Sequence, residues 1–250
     1  MLRSATWAPG LVLLASLLAC GEADAPALQT PTPVATATPR TTAGASSSMP
    51  TPVPTPTPER LDIRASRLAI PSLGIDAAVQ DSRVIPASIY PPPTPGCPAP
   101  RPDEETFTVP NHGIATPIEA IEGLENRSWI FGHSRWQNAP GLLYALQDIN
   151  LGDEVFVEGT ERTTGAAVAR KRFVVDGIYL TDIYSGGDLV AGEMPAKPTV
   201  ILQTSVREDG GGKAWLLDQQ KVTAKARNLV QGDVNDRCKY LLLFVFARAS

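Results

Sequence analysis

Histidine and cysteine are scarce here, two and three in 250 residues, and aromatic side chains make up only 6%. The three cysteines, Cys20, Cys97 and Cys238, and the two histidines, His112 and His133, stand far apart. No His/Cys/Asp group has metal-ligand spacing, so no metal is expected. No glycine-rich turn leads from a strand into a helix to hold phosphate, and Gly-x-Ser-x-Gly is absent. No cofactor is called for. An excess of positive charge is also missing: 22 basic against 26 acidic residues give a net charge of -4. That leaves no general attraction for nucleic acid or an anionic membrane surface. Nor is there an apolar run of the roughly 20 residues that a helical membrane span requires; both residues 11–19 and 241–247 fall short of it. No internal repeat is visible.

What is present begins with an export pattern. Arg3 precedes the short apolar run LVLLASLLA, the charged start and hydrophobic middle of a secretory signal. Leu17-Leu18-Ala19-Cys20 resembles the lipobox of bacterial lipoproteins, which implies cleavage before Cys20, lipidation of its thiol and a membrane anchor. The alternative is an ordinary cleaved signal and a secreted protein. Residues 1–20 thus read as a signal peptide with lipobox. Residues 21–59 hold PTPVATATPR and TPVPTPTP and almost no large apolar side chains, so they read as a Thr/Pro-rich disordered linker, an extended spacer. An extracytoplasmic location leaves Cys97 and Cys238 either joined in a disulfide or as two free thiols.

Residues 60–250 form the folded domain. Its apolar residues come in short runs separated by Gly, Pro, Asp and Asn, mainly a β pattern. Strands are expected over 67–70, 75–79, 128–133, 153–159, 172–180, 198–204 and 239–247, enough to close a small barrel. Residues 141–149 place Leu142, Leu143, Leu146 and Ile149 on one helical face. A second helix is expected over 214–230, which is rich in helix formers. The Pro-rich stretch 85–102 cannot be a central strand and reads as an outer loop. His112, in VPNHGIA, reads as a turn residue; His133 ends the apolar strand WIFGHS.

Four segments, in order, resemble the sortase family of bacterial cysteine transpeptidases, of the class E/F type. They are RLAIPSLGIDAAV (67–79), SWIFGHS (128–134), GLLYALQDINLGDEVFVEG (141–159) and PTVILQTS (198–205). The resemblance implies a mainly β fold, a sortase-like closed eight-stranded β-barrel with one or two short helices. It also implies acyl transfer at a threonine carbonyl of a peptide or protein sorting signal, resolved by an amine acceptor. The family's histidine falls on His133, and its nucleophilic cysteine is replaced by Ser205. Its arginine has no clear counterpart: Arg237 is the first choice, with Lys239 or Lys213 as alternatives, and each can equally be a solvated surface charge. Cys238, between Arg237 and Lys239, would face away from the site.

A cysteine ionises beside an imidazole, whereas a serine hydroxyl needs an aligned base oriented by a third group. Asp182, Glu208 and Asp209 are candidates for that group. Two readings follow: an altered transpeptidase or hydrolase using Ser205 and His133, or a non-catalytic pseudo-sortase that binds peptides or serves as a surface scaffold. In either case the barrel is expected to be a monomer on its tether.

Overall fold

Apolar residues at 63, 65, 68 and 70 nearly alternate, but with a step of three in the middle. That step is a β-bulge, a register shift between Ala65 and Arg67, which returns Leu68 and Ile70 to the buried side. The first strand is therefore Ile63–Ile70 (β1), longer than the expected 67–70. The bulge hides its first half from a period-two search. This computed structural model describes residues 60–86, 105–182, 190, 194–206, 215–226 and 241–250, all within one compact unit, Pro54–Ser250.

The strands that follow are Ile75–Ser82 (β2), Val84–Pro86 (β3), Glu105–Phe107 (β4), Ile114–Pro117 (β5), Arg127–Gly132 (β6), Arg135–Trp136 (β7) and Ala139–Pro140 (β8). After them come Glu154–Glu161 (β9), Ala167–Asp182 (β10), Thr199–Ser205 (β11) and Leu241–Ala249 (β12). Eight of them close a barrel in the order β1-β2-β5-β6-β11-β12-β10-β9. The fold is mainly β, as expected. Two neighbouring pairs, β2 with β5 and β6 with β11, run parallel. The interior holds Ile63, Leu68, Ile130, Val157, Phe173 and Leu202 among its fully enclosed side chains, and their burial is the main stabilising term.

Several expectations need correction. The eighth barrel strand is β5, four residues directly after the turn containing His112; it is too short and too near Pro117 to declare itself, and it exists because β2 pairs with it. The expected outer loop at 85–102 starts later, since Ile85 and Pro86 pair with Thr106 and Glu105. Proline is tolerated there because a two-stranded ribbon leaves one edge unpaired. Phe107 of that ribbon packs at 5.2 Å from Trp129 and 5.4 Å from Phe131, so the ribbon covers the outer face of β6.

The helical segment expected at 141–149 is a 3₁₀ helix, Leu142–Asp148. Its buried residues Leu143 and Leu146, with Ile149 beyond, recur every three positions, the 3₁₀ repeat. The second helix is Gln219–Lys225, shorter than 214–230. Asp218 caps it by accepting from the Lys221 amide, and the residues from 227 to 230 lie outside those described. Both helices contribute to the main core, through Leu143, Leu146 and Val222.

Where β9 meets β1, Arg162 straps three elements together. It donates from Nε to Asp62 at 3.1 Å, from Nη1 to the Ile118 carbonyl at 2.6 Å and from Nη2 to Thr116 Oγ1 at 3.4 Å. Burial raises the Asp62 carboxyl above its ordinary value, with Arg162 pulling the other way. The pair is part-buried, and losing a hydrogen bond to a charged group costs about 1.5 to 3 kcal/mol. Arg162→Met should therefore lower the unfolding free energy by that order in urea titrations at pH 7. The loss should shrink as pH falls through the raised folded value of Asp62 and be smallest below the ordinary carboxylate value, because the protonated acid no longer needs the guanidinium and a raised folded pKa stabilises the fold only at low pH.

Candidate functional site

The parallel pairing of β6 and β11 organises the site. Thr204 lies opposite Gly132, and its buried Oγ1 donates to the Gly132 carbonyl at 2.9 Å. His133 and Ser205 each follow that pair by one residue, so the fold brings the two expected catalytic residues to the same end of two adjacent strands. Along β11, Val200 and Leu202 belong to the interior core while Ile201 packs in a second cluster on the outside. By the same alternation Ser205 faces outward, and Val206 returns to the interior. Both His133 and Ser205 are half-buried. Among the described residues no hydrogen bond joins them; the partner of the His133 ring is Trp136, with centroids 4.9 Å apart and planes tilted by 33°.

Two glycines let the surrounding chain close in on His133. A side chain at Gly132 would approach the Gly113 carbonyl to 2.8 Å, and one at Gly141 would approach the His133 carbonyl to 2.3 Å. Neither space admits a Cβ. The Gly141 amide donates to the Ser134 carbonyl at 2.7 Å, which pins the returning chain. Burial depresses the His133 imidazole below 6.5, so the ring is neutral at pH 7 and available as a base.

Two residues stand here to which the sequence pattern assigns no part in the site. Arg135 donates from Nε to the Leu216 carbonyl at 2.8 Å, and the Leu216 amide in turn donates to the Val206 carbonyl at 2.8 Å. The guanidinium also lies 4.6 Å above the Tyr144 ring, a cation–π contact. Arg135 thus ties the segment after His133 to the residue after Ser205. It begins a β-hairpin, β7 with β8, whose turn residues Gln137 and Asn138 both have positive φ, the two-residue turn that Asn favours. The second residue is His112. It is exposed and, with His133, lines a cleft of about 150 Å³ between the turn 111–113 and residues 139–142, with Trp136 beside it.

Asp182 ends β10 opposite Leu241, while Ser205 lies opposite Leu242, so Asp182 is two strands from Ser205. Arg237, Lys239, Lys213, Glu208, Asp209, Cys20, Cys97 and Cys238 lie outside the described residues. Among the described residues no group of three His, Cys, Asp or Glu side chains could hold a metal, and no helix is long and apolar enough to cross a membrane.

No family model and no curated protein matches the chain. Among solved structures it is similar to a lid mutant of sortase A from Corynebacterium diphtheriae, at 17% identity over 77% of this chain and 72% of that one, with a TM-score of 0.40. It is also similar to sortase C1 from Streptococcus suis, at 13% identity over 77% and 74%, with a TM-score of 0.40. A third is the sortase D5 transpeptidase of Clostridium perfringens, at 13% identity over 74% and 78%, with a TM-score of 0.39.

Two outcomes follow from this geometry. A base whose folded pKa is depressed keeps its stabilising share above the unfolded value of about 6.5 and loses it as pH falls through the folded value. Unfolding free energy should therefore decline with acidification below that point, and His133→Gln should remove this part of the decline. Arg135→Met should lower stability by about 1.5 to 3 kcal/mol, the range for a hydrogen bond to a charged group. It should also speed amide exchange at Leu216, which the loss of a surface charge alone would not do.

Proposed function

We propose that this chain is an extracytoplasmic acyl-transfer barrel of the sortase type, altered at its nucleophile. The observation that carries the reading is the register of β6 and β11, which puts His133 and Ser205 side by side at one barrel end. In the proposed reaction His133 takes the Ser205 hydroxyl proton as Oγ attacks a threonine carbonyl in a peptide or protein sorting signal. The imidazolium then protonates the leaving amine, and an acyl ester remains on Ser205. An amine acceptor or water resolves the ester, giving transpeptidation or hydrolysis.

The lowered pKa of His133 keeps the base form available at neutral pH but makes it a weaker base, so the serine depends on good alignment. Hydrogen bonds of this kind commonly tighten only when substrate is bound. A cation near the oxyanion would come from Arg237, with Lys239 or Lys213 as alternatives. Arg237 and Lys239 precede β12, whose first residue, Leu241, accepts from the Val206 amide at 2.8 Å.

Around this domain we place a signal peptide at residues 1–20, lipidation at Cys20, and the linker 21–59 as a tether to the bacterial membrane. Without lipidation the protein is secreted. Cys97 and Cys238 are a disulfide pair or free thiols, and the barrel acts as a monomer.

A second reading, a pseudo-sortase that binds peptides without turning them over, is favoured by the serine at the nucleophile position and the missing His133–Ser205 bond. The deciding experiment offers threonine-containing sorting peptides and an amine to the protein and to Ser205→Ala and Ser205→Cys, with mass spectrometry of acyl-enzyme and product. Product from the native chain and none from Ser205→Ala would establish serine-dependent transfer. Product from Ser205→Cys alone would assign the native chain to the peptide-binding reading.

A further inference from the structure

A serine hydroxyl gives up its proton only to a base that another group holds in place, and the group stacked on the His133 ring is an indole. Trp136 meets the imidazole with centroids 4.9 Å apart and planes tilted by 33°, inside the range that aromatic pairs prefer. The two residues are three apart in sequence, so the contact depends on how β7 leaves the end of β6. That path is fixed at several points. Ser134, fully enclosed, accepts from the Gly141 amide at 2.7 Å and closes the base of the hairpin. Trp136 pairs with Ala139 across it. Arg135 donates from Nη1 to the Asn138 carbonyl at 3.2 Å and from Nε to the Leu216 carbonyl at 2.8 Å. Adjacent strand residues point to opposite sides: Arg135 turns to Tyr144 and Leu216, and Trp136 to His133. The Leu216 amide donates to the Val206 carbonyl, one residue past Ser205. One hairpin thus carries both the indole on the base and a tie to the strand that ends in Ser205.

The chemistry of an indole suits this position. Its face attracts a cation more strongly than a neutral ring, so the contact strengthens when the imidazole becomes imidazolium. An interaction that grows as charge develops accelerates the step in which the charge appears. A carboxylate would do the same, but it would also favour the charged form of the resting ring. The indole carries no net charge and leaves the resting base neutral. Of the titratable and charged side chains described near the ring, His112 faces the same cleft from the turn 111–113, and Arg135 points to Tyr144 and Leu216.

We propose that Trp136 is a positioning residue for the acyl transfer: its indole orients the His133 imidazole and stabilises the imidazolium formed when that ring takes the Ser205 proton. The assignment rests on the acyl-transfer reading above. As Ser205 Oγ bonds to the carbonyl carbon, its proton moves to His133 and the positive charge lies against the indole face. It stays there until the carbonyl carbon–nitrogen bond breaks and the proton passes to the leaving amine.

The chain has only two histidines, and His112→Gln assigns their ¹³C imidazole signals. The titration of His133 is followed in the full chain and in its Trp136→Phe, Trp136→Leu and Trp136→Met variants. Leucine and methionine keep apolar cover without a π face, so both should move the His133 midpoint to lower pH, while phenylalanine should keep it near the native one. Exchange at the Leu216 amide should match the native chain, showing that the hairpin keeps its place. With a threonine-containing sorting peptide, mass spectrometry should find acyl-enzyme formation slowed roughly threefold to thirtyfold in Trp136→Leu and Trp136→Met, and largely restored in Trp136→Phe. A midpoint that stays or rises in the leucine and methionine variants, or acylation in them at the native rate, overturns the assignment and leaves acyl transfer standing. A lowered midpoint in variants of a chain that never acylates sinks the acyl-transfer reading, while the hold of the indole on the imidazolium stands.

Discussion

One backbone arrangement governs the rest of the site: the parallel pairing of β6 with β11, closed at its end by the Thr204 hydroxyl on the Gly132 carbonyl. Parallel strands point the same way, so residues one step beyond a paired position emerge together. An antiparallel pair would put them at opposite ends of the sheet. Everything proposed for His133 and Ser205 depends on this. Thr204 has a small side chain that is fully enclosed and already partnered, so it fixes the register without competing for the outward face.

The surroundings then work as a series of close approaches. Gly132 lets the turn at 113 touch the end of β6, and Gly141 lets the chain return across the His133 backbone. Arg135 completes the enclosure from the side of β11 through the Leu216 and Val206 backbone. The result is an imidazole with an aromatic neighbour, partly shielded from water and uncharged at neutral pH. The strand end of β11 with Ser205 stands on one side of it, and the cleft between the turn 111–113 and residues 139–142 on another.

How much of this was legible beforehand varied with range. The strands β2, β6, β9, β10, β11 and β12 follow from local alternation or unbroken apolar runs, and His133 stands out because it ends such a run, whereas Ser205 is singled out by the sortase resemblance of residues 198–205. β5 could not be read, since four residues ending in proline become a strand only when β2 supplies the partner. The first half of β1 is masked by its bulge, while the helical segment at 141–149 is legible from its apolar face, which suits the 3₁₀ and α repeats alike over so few turns. Arg135 carries no sequence signal, and His112, legible only as a turn residue, carries none of its place beside His133. An arginine in a hairpin and a histidine in a turn are ordinary surface residues until the barrel closes and folds their loops over β6.

The strap at Arg162 bears on how the molecule comes into being. It joins the beginning of the barrel to a residue 100 positions later in the chain, beside the seam of β1 against β9, one of the eight that make the ring. A ring cannot be half closed. A fold built on such distant pairings forms late and slowly. The order of events is thus built into the topology: the last strand of the chain, β12, fills the place between β10 and β11, and the ring cannot be complete before it arrives.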